Sequence, residues 1–205
     1  SRFHPDHRWG NFYSFGGAWI MTKEEWMQDV KWLNELKLKA SFGQNGNDNI
    51  GDFLYTDLYD INKGDGNDIT LTLASVGNEN ITWETISNIN VGFEFQMLRN
   101  RLRGSIEYFY RKTTDMLSWV QVPVEEGYSG SYYNVGDMSN KGVELEISGD
   151  PVLTKNIRWT VGANLTAYKN TILKLNDDNK FNTLDGHAGY TSGSYFYGEG
   201  LPMYT

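Results

Sequence analysis

The side chains able to do chemistry in this 205-residue sequence fall into three groups. His4, His7 and His187 are the candidate acid–base groups and metal ligands. Adjacent acids, Glu125–Glu126 and Asp177–Asp178, are the candidates for two-carboxylate hydrolysis. Two aromatic stretches, "WVQVPVEEGYSGSYYN" at 119–134 and "GYTSGSYFYG" at 189–198, hold Trp119, Tyr128, Tyr132, Tyr133, Tyr190, Tyr195 and Tyr197 among Ser, Asn and Gly. Flat rings beside small polar groups make stacking surfaces with adaptable hydrogen bonds, suited to capturing an oligosaccharide or peptide. The same rings serve equally to pack loops together or to meet a capping protein.

Covalent chemistry finds little support. The histidines form no HExxH pair, and His4 and His7 flank a Pro-Asp turn. "GYSGS" at 127–131 lacks the last glycine of a nucleophile elbow, and no phosphate-cradling or dinucleotide fingerprint occurs. Without cysteine there is no thiol catalysis, thiolate metal site or disulfide. Glycosidase action needs two carboxyls at a set separation across one bond, which adjacency in a polar loop does not supply. "NGNDN" at 45–49 and "DGND" at 65–68 carry oxygen ligands of the kind Ca²⁺ takes, without the closing glutamate of an EF-hand loop. Ordinary Asx turns account for both. The expectation is therefore a protein that binds and guides, with no catalytic residue, no metal centre and no cofactor beyond a candidate loop Ca²⁺. A net charge of −8 leaves no global basic footprint for nucleic acid.

The elements that position these groups read as strands. Twenty-two glycines against 4 prolines, with aromatics at 15%, suit an all-β chain with many turns. In 88–97, Ile89, Val91, Phe93, Phe95 and Met97 alternate with polar residues. The same period of two runs through 102–111, with Gly104 and Phe109 as exceptions, and through 142–148 and 157–167. Weaker candidates lie at 11–20 and 36–43. Strand pairs join through short links near 98–100 and 149–156, while long polar stretches occupy 44–82, 112–137 and 174–205. "TKEEWMQDVKWL", with Thr22 and Glu25 in capping-box spacing, predicts a short amphipathic helix packed on an inner rim.

The polar face of the strands carries Glu94, Arg103, Glu107, Glu144, Glu146 and Arg158. A soluble sandwich with a charged outer face accommodates that pattern, and so does a barrel whose lumen is wet. The alternation of short and long connections favours the membrane barrel, with short periplasmic turns and long outer loops. Strands of about 10 residues have the length needed to cross a bilayer. No run of 18 apolar residues marks a spanning helix, and no signal peptide opens the chain. The sequence reads as an excerpt of something longer.

Several stretches resemble, in order, the SusC/RagA family of TonB-dependent outer-membrane transporters of Bacteroidota. They are "SRFHPDHRWGNFYSFGGAW" at 1–19, "WLNELKLKASFGQNGNDNIG" at 32–51, "NENITWETISNINVGFEF" at 78–95, "GSIEYFYRKTTDML" at 104–117, "NVGDMSNKGVELEISGDPV" at 134–152 and "GEGLPMY" at 198–204. The resemblance implies an antiparallel transmembrane β-barrel of about 22 strands with a plugged lumen. Some six to eight of those strands, from the middle to later part, would be present here, as one partial barrel domain over 1–205. The family's plug and TonB-contacting segment have no match. Also implied are a place in the bacterial outer membrane, import of a bulky nutrient, a SusD-like surface lipoprotein as lid, and TonB acting through parts outside this sequence. The apolar face of 89–97 and 102–110 would then meet lipid, and the six charged residues above would face the lumen. Two alternatives stay open at this point: a secreted β-sandwich that binds glycans, and a SusC-like scaffold subunit of a larger outer-membrane complex.

Overall fold

A computed structural model describes residues 2–63, 69–122, 125, 127–128, 130–177, 180 and 182–203. The candidate Ca²⁺ segment at 65–68, Glu126 and Asp178 lie outside the described residues. Six strands form one antiparallel sheet: β1 (Ser14–Ile20), β2 (Leu33–Asn47), β5 (Glu84–Met97), β6 (Leu102–Thr114), β9 (Gly136–Leu153) and β10 (Arg158–Leu175), neighbouring one another in that order. The sheet is open, with β1 and β10 each paired on one side only. Several strands are longer than the periodicity suggested, because pairing continues beyond the alternating stretch into the loop layer. Thus β9 and β10 are paired up to the register step at Ile172/Lys174 and on to Gly136.

Cross-strand register turns the alternation into two continuous faces. One row runs Trp19, Leu38, Phe93, Ile106, Leu145, Leu165, and the next runs Gly17, Ala40, Val91, Tyr108, Val143, Ala167. Most of these side chains are exposed in the sheet, Phe93 at 42% and Leu165 at 64%, with Leu38 and Leu145 half-buried between their neighbours, so among the described residues no second layer covers the apolar face. From Ile89 to Met97 the face extends about 27 Å along the strand. At a barrel tilt near 40° that approaches the height of about 25 Å of an outer-membrane apolar band. Trp19, Trp26, Trp32 and Trp159 stand exposed toward the short-turn end, where an interfacial aromatic girdle belongs.

The short-turn end departs from expectation between β1 and β2. No α-helix forms there; two 3₁₀ turns, Met21–Lys23 and Glu25–Met27, bridge the strands. The Thr22 hydroxyl accepts the Leu36 N–H (3.3 Å), so it does not cap a helix. Trp26 sits 6.3 Å from Trp19 on the outward side rather than on an inner rim. A segment this short cannot repay the cost of helix nucleation when both its ends are held by paired strands. The β5–β6 turn places three successive non-glycine residues, Leu98, Arg99 and Asn100, at positive φ. Bonds from β2's neighbourhood hold this left-handed turn: Leu98 N–H donates to the Trp32 carbonyl (2.9 Å) and Asn100 N–H to the Asn34 side chain (3.2 Å).

The long connections are structured. A hairpin of β3 (Leu58–Lys63) and β4 (Ile69–Ser75), another of β7 (Leu117–Gln121) and β8 (Gly130–Asn134), and a three-stranded sheet of β11 (Asn182–Leu184), β12 (His187–Ser192) and β13 (Tyr195–Gly198) all follow the same end of the main strands. The buried core lies in this loop layer rather than in the sheet. Met116, Val120, Val135, Ile172, Leu175, Tyr190 and Tyr197 form one cluster, and Phe3, Ile50, Leu54 and Ile81 form another. Buried Glu84 ties the layer to the sheet, one carboxylate oxygen accepting from Asn47 (3.0 Å) and the other from the Leu117 N–H (2.9 Å).

Candidate functional site

The inner face of the sheet follows from the same register, shifted by one residue. Glu94 accepts Lys37 on one oxygen and Lys39 on the other (2.7 Å), and Lys39 reaches Glu107 at 3.3 Å. Glu144 lies opposite Glu107, and Glu146 opposite Ser105, on the same face. Of the charged residues expected to share the lumen side, Glu94, Glu107, Glu144 and Glu146 thus fall on one surface. Arg103 and Arg158 lie on that side too, but at the short-turn rim, where they converge on Asp150.

Asp150 was not among the expected residues. Its side chain is 2% exposed, and it accepts from Arg158 (2.7 Å) and the Thr160 hydroxyl (2.6 Å) with Arg103 at 3.7 Å. Arg101 bonds the Asp150 carbonyl through Nε (3.2 Å) and a terminal nitrogen (3.0 Å). One carboxylate therefore joins β6, β9 and β10 beside their turns. Asp150→Ala leaves these donors unpaired and is expected to cost about 1–3 kcal/mol, read as a lowered urea midpoint. Asp150→Asn, which keeps an acceptor for Thr160, should lose less.

The inner face also carries an aromatic platform that sequence reasoning passed over. Phe109, Gly142 and Tyr168 occupy one row across β6, β9 and β10. A side-chain carbon at Gly142 would stand 2.9 Å from the Phe109 ring and 2.7 Å from the Tyr168 Cβ, so glycine keeps the space between the rings open. Arg111 donates to Asn88 (2.8 Å) and Asn170 to Asn140 (2.7 Å) beside it. Phe109, Tyr168, Arg111, Asn88 and Asn140, with Glu107 and Glu144, line an open groove of about 510 Å³. The available signal was Phe109 itself, an aromatic on the polar side of "EYFYR".

The loop aromatics divide. Tyr190 is 1% exposed, stacked on Tyr197 with centroids 5.0 Å apart, and its hydroxyl meets Ser118 at 3.3 Å. Burial raises its pKa above the ordinary phenol value. Tyr190 and Tyr197 thus spend their faces on the loop core. Trp119 and Tyr132 meet edge to face at 5.4 Å and are half-buried, as are Tyr133 and Tyr128. Tyr195 is 49% exposed. Of the seven, Tyr195 presents the most surface to a ligand.

Several of the remaining chemical candidates are engaged in contacts within the fold. His187 Nδ1 lies 2.7 Å from the Glu199 carbonyl, and His4 packs on Tyr55. Glu199 accepts the Leu175 N–H (2.8 Å) and pairs with Lys180 (3.1 Å); these, the backbone bond foremost, hold its carboxyl below the usual range. In 45–49, Asn47 accepts the Asn49 N–H in an Asx turn and Asp48 pairs with Arg2. Among the described residues no cluster of three or more His, Asp or Glu is placed to hold a metal ion.

A sheet with an unpacked apolar outer face, a charged and aromatic inner face, tight turns at one end and a folded loop layer at the other is wall of an outer-membrane β-barrel. The sequence profile of the family described as TonB dependent receptor-like, beta-barrel, matches residues 2–203, and the chain belongs to that family. It is 36% identical to the TonB-dependent receptor SusC of Bacteroides thetaiotaomicron over 184 residues, covering 85% of this chain and 18% of SusC. It is 32% identical to the TonB-dependent receptor P26 of Formosa agariphila, over 100% of this chain and 21% of that protein. Among solved structures, the RagAB peptide transporter superposes on 98% of the chain and 22% of its own, with TM-score 0.85 and 30% identity. The chain thus spans about a fifth of the length of these relatives. Its place is the outer membrane.

Proposed function

We propose that this chain forms one partial barrel domain, supplying wall and substrate vestibule to a TonB-dependent importer of a bulky nutrient, an oligosaccharide or a peptide. The observation that carries this reading is the groove of Phe109, Tyr168, Arg111 and their asparagine neighbours on the inner wall, below a loop layer in which Tyr195 is exposed. Rings, amides and paired charges facing water bind such molecules reversibly and hand them along, with no covalent step. A SusD-like surface lipoprotein would cover the loop layer, and TonB would draw on parts of the protein outside this chain. The name of one relative of solved structure, a peptide transporter, supports the peptide class.

The test is growth of a deletion strain on a panel of oligosaccharides and peptides, complemented with the full-length protein or its Phe109→Ala/Tyr168→Ala variant. The deletion should abolish use of at least one nutrient. The variant should lower its uptake about 5- to 10-fold at normal membrane abundance, the value of two lost ring contacts. Unchanged uptake of every nutrient on deletion would overturn the importer reading and favour a scaffold role.

A further inference from the structure

On the lipid-facing rows, charge enters only at the outward end. Going outward from Ile89 and Tyr110, the next residue across β9 in that row is Lys141, and its partner in β10 is Lys169. One step further out stand Lys112, opposite Ser139, and then Asp137, opposite Lys174. Lys112 takes Asp137 at 2.9 Å. Lys141 and Lys169 are both exposed, and among the described residues neither makes an ion pair. Their nearest same-face neighbours are Tyr110, Val143, Ala167, Ser139 and Thr171, none of them acidic.

Like charges directly opposite in an antiparallel pair repel, and nothing in the two strands offsets this. The position explains what does. The pair sits at the outer edge of the apolar band, where long amphipathic side chains lay their stems along lipid and lift the ammonium to headgroup level. The outward orientation follows from the loops, which lie on that same end. We propose that Lys141 and Lys169, with Lys112 beside them, form a docking site for the phosphate of an outer-leaflet glycolipid, lipid A. The complementarity is of charge and of depth: two unpaired ammonium groups one strand apart, above a sheet face built to meet acyl chains. The site is independent of the transported nutrient and lies on the opposite face of the wall from the groove.

The experiment uses the full-length transporter with its native partner, purified in mild detergent. Native mass spectrometry follows added phosphorylated lipid A, the same lipid A stripped of phosphate, and phosphatidylglycerol. Phosphorylated lipid A should remain bound, and Lys141→Gln/Lys169→Gln should lower its occupancy at least fivefold, whereas Lys155→Gln in the opposite turn should leave it unchanged. Lys141→Arg/Lys169→Arg, which keeps the charge, should restore binding. Equal occupancy in the double glutamine variant, or equal retention of the stripped lipid, would overturn the proposal. Equal retention of phosphatidylglycerol would overturn the choice of lipid A.

Discussion

Phe93→Arg should cost the barrel about 2–4 kcal/mol of folding free energy in a bilayer, the penalty for a cation on the lipid face near the midplane. Phe93 lies in the row with Leu38, Ile106 and Leu145, well inside the apolar band and away from both rims. From there an arginine must reach past two rows of apolar side chains before it meets headgroups. Asn90→Arg is the control. Its side chain lies on the inner face, where the Asn90 amide reaches the Ser41 hydroxyl at 3.4 Å and water is available to a charge. Urea titration of the full-length protein folded into vesicles measures both. Equal loss in the two variants would mean that the faces have been assigned wrongly, since both positions lie in the same paired strand.

Tyr190→Ala should cost about 3–5 kcal/mol, as removal of a fully buried ring does, and the loss should be confined to the loop layer. The ring stacks on Tyr197 and packs with Met116, Val120, Ile172 and Leu175, so its removal opens a cavity that two hairpins and the end of β10 share. Of the six-stranded sheet, the outer ends of β9 and β10 reach that cluster, whereas β5 and β6 are held to each other by ladder bonds along their length. Hydrogen exchange should therefore quicken at 116–121, 130–135 and 187–198 while β5 and β6 keep their protection. Tyr195→Ala, at an exposed position in the same sheet, should change protection little. Uniform loss of protection across the sheet would show that the loops and the wall fold as one unit.

Particular residues show where sequence reasoning held and where it stopped. Ile89, Val91 and Phe93 announced their common face because successive side chains of a strand point to opposite sides, a rule that needs no knowledge of neighbours. Lys37, Lys39 and Glu94 share the other face by the same rule. Thr22 and Glu25 misled because a capping box is a local preference worth about 1 kcal/mol, and the bond from Leu36 to Thr22 comes from a strand 14 residues away. Phe109 was an irregularity until Gly142 and Tyr168 were set beside it.

The sequence by itself determined the six strands of the main sheet, their alternation into two faces, the short turns between them and, through its ordered motifs, the family; the strands within the long connections it did not show. Tertiary structure alone decided the fate of the loop aromatics, the role of Asp150 and the pairing of Lys141 with Lys169. The physical reason is range. Alternation and turn length are written within a few neighbouring residues, whereas Tyr190 meets Ser118 across 72 positions and Arg101 meets Asp150 across 49. Which ring is buried, and which charge is left without a partner, depends on the register that brings such distant segments together.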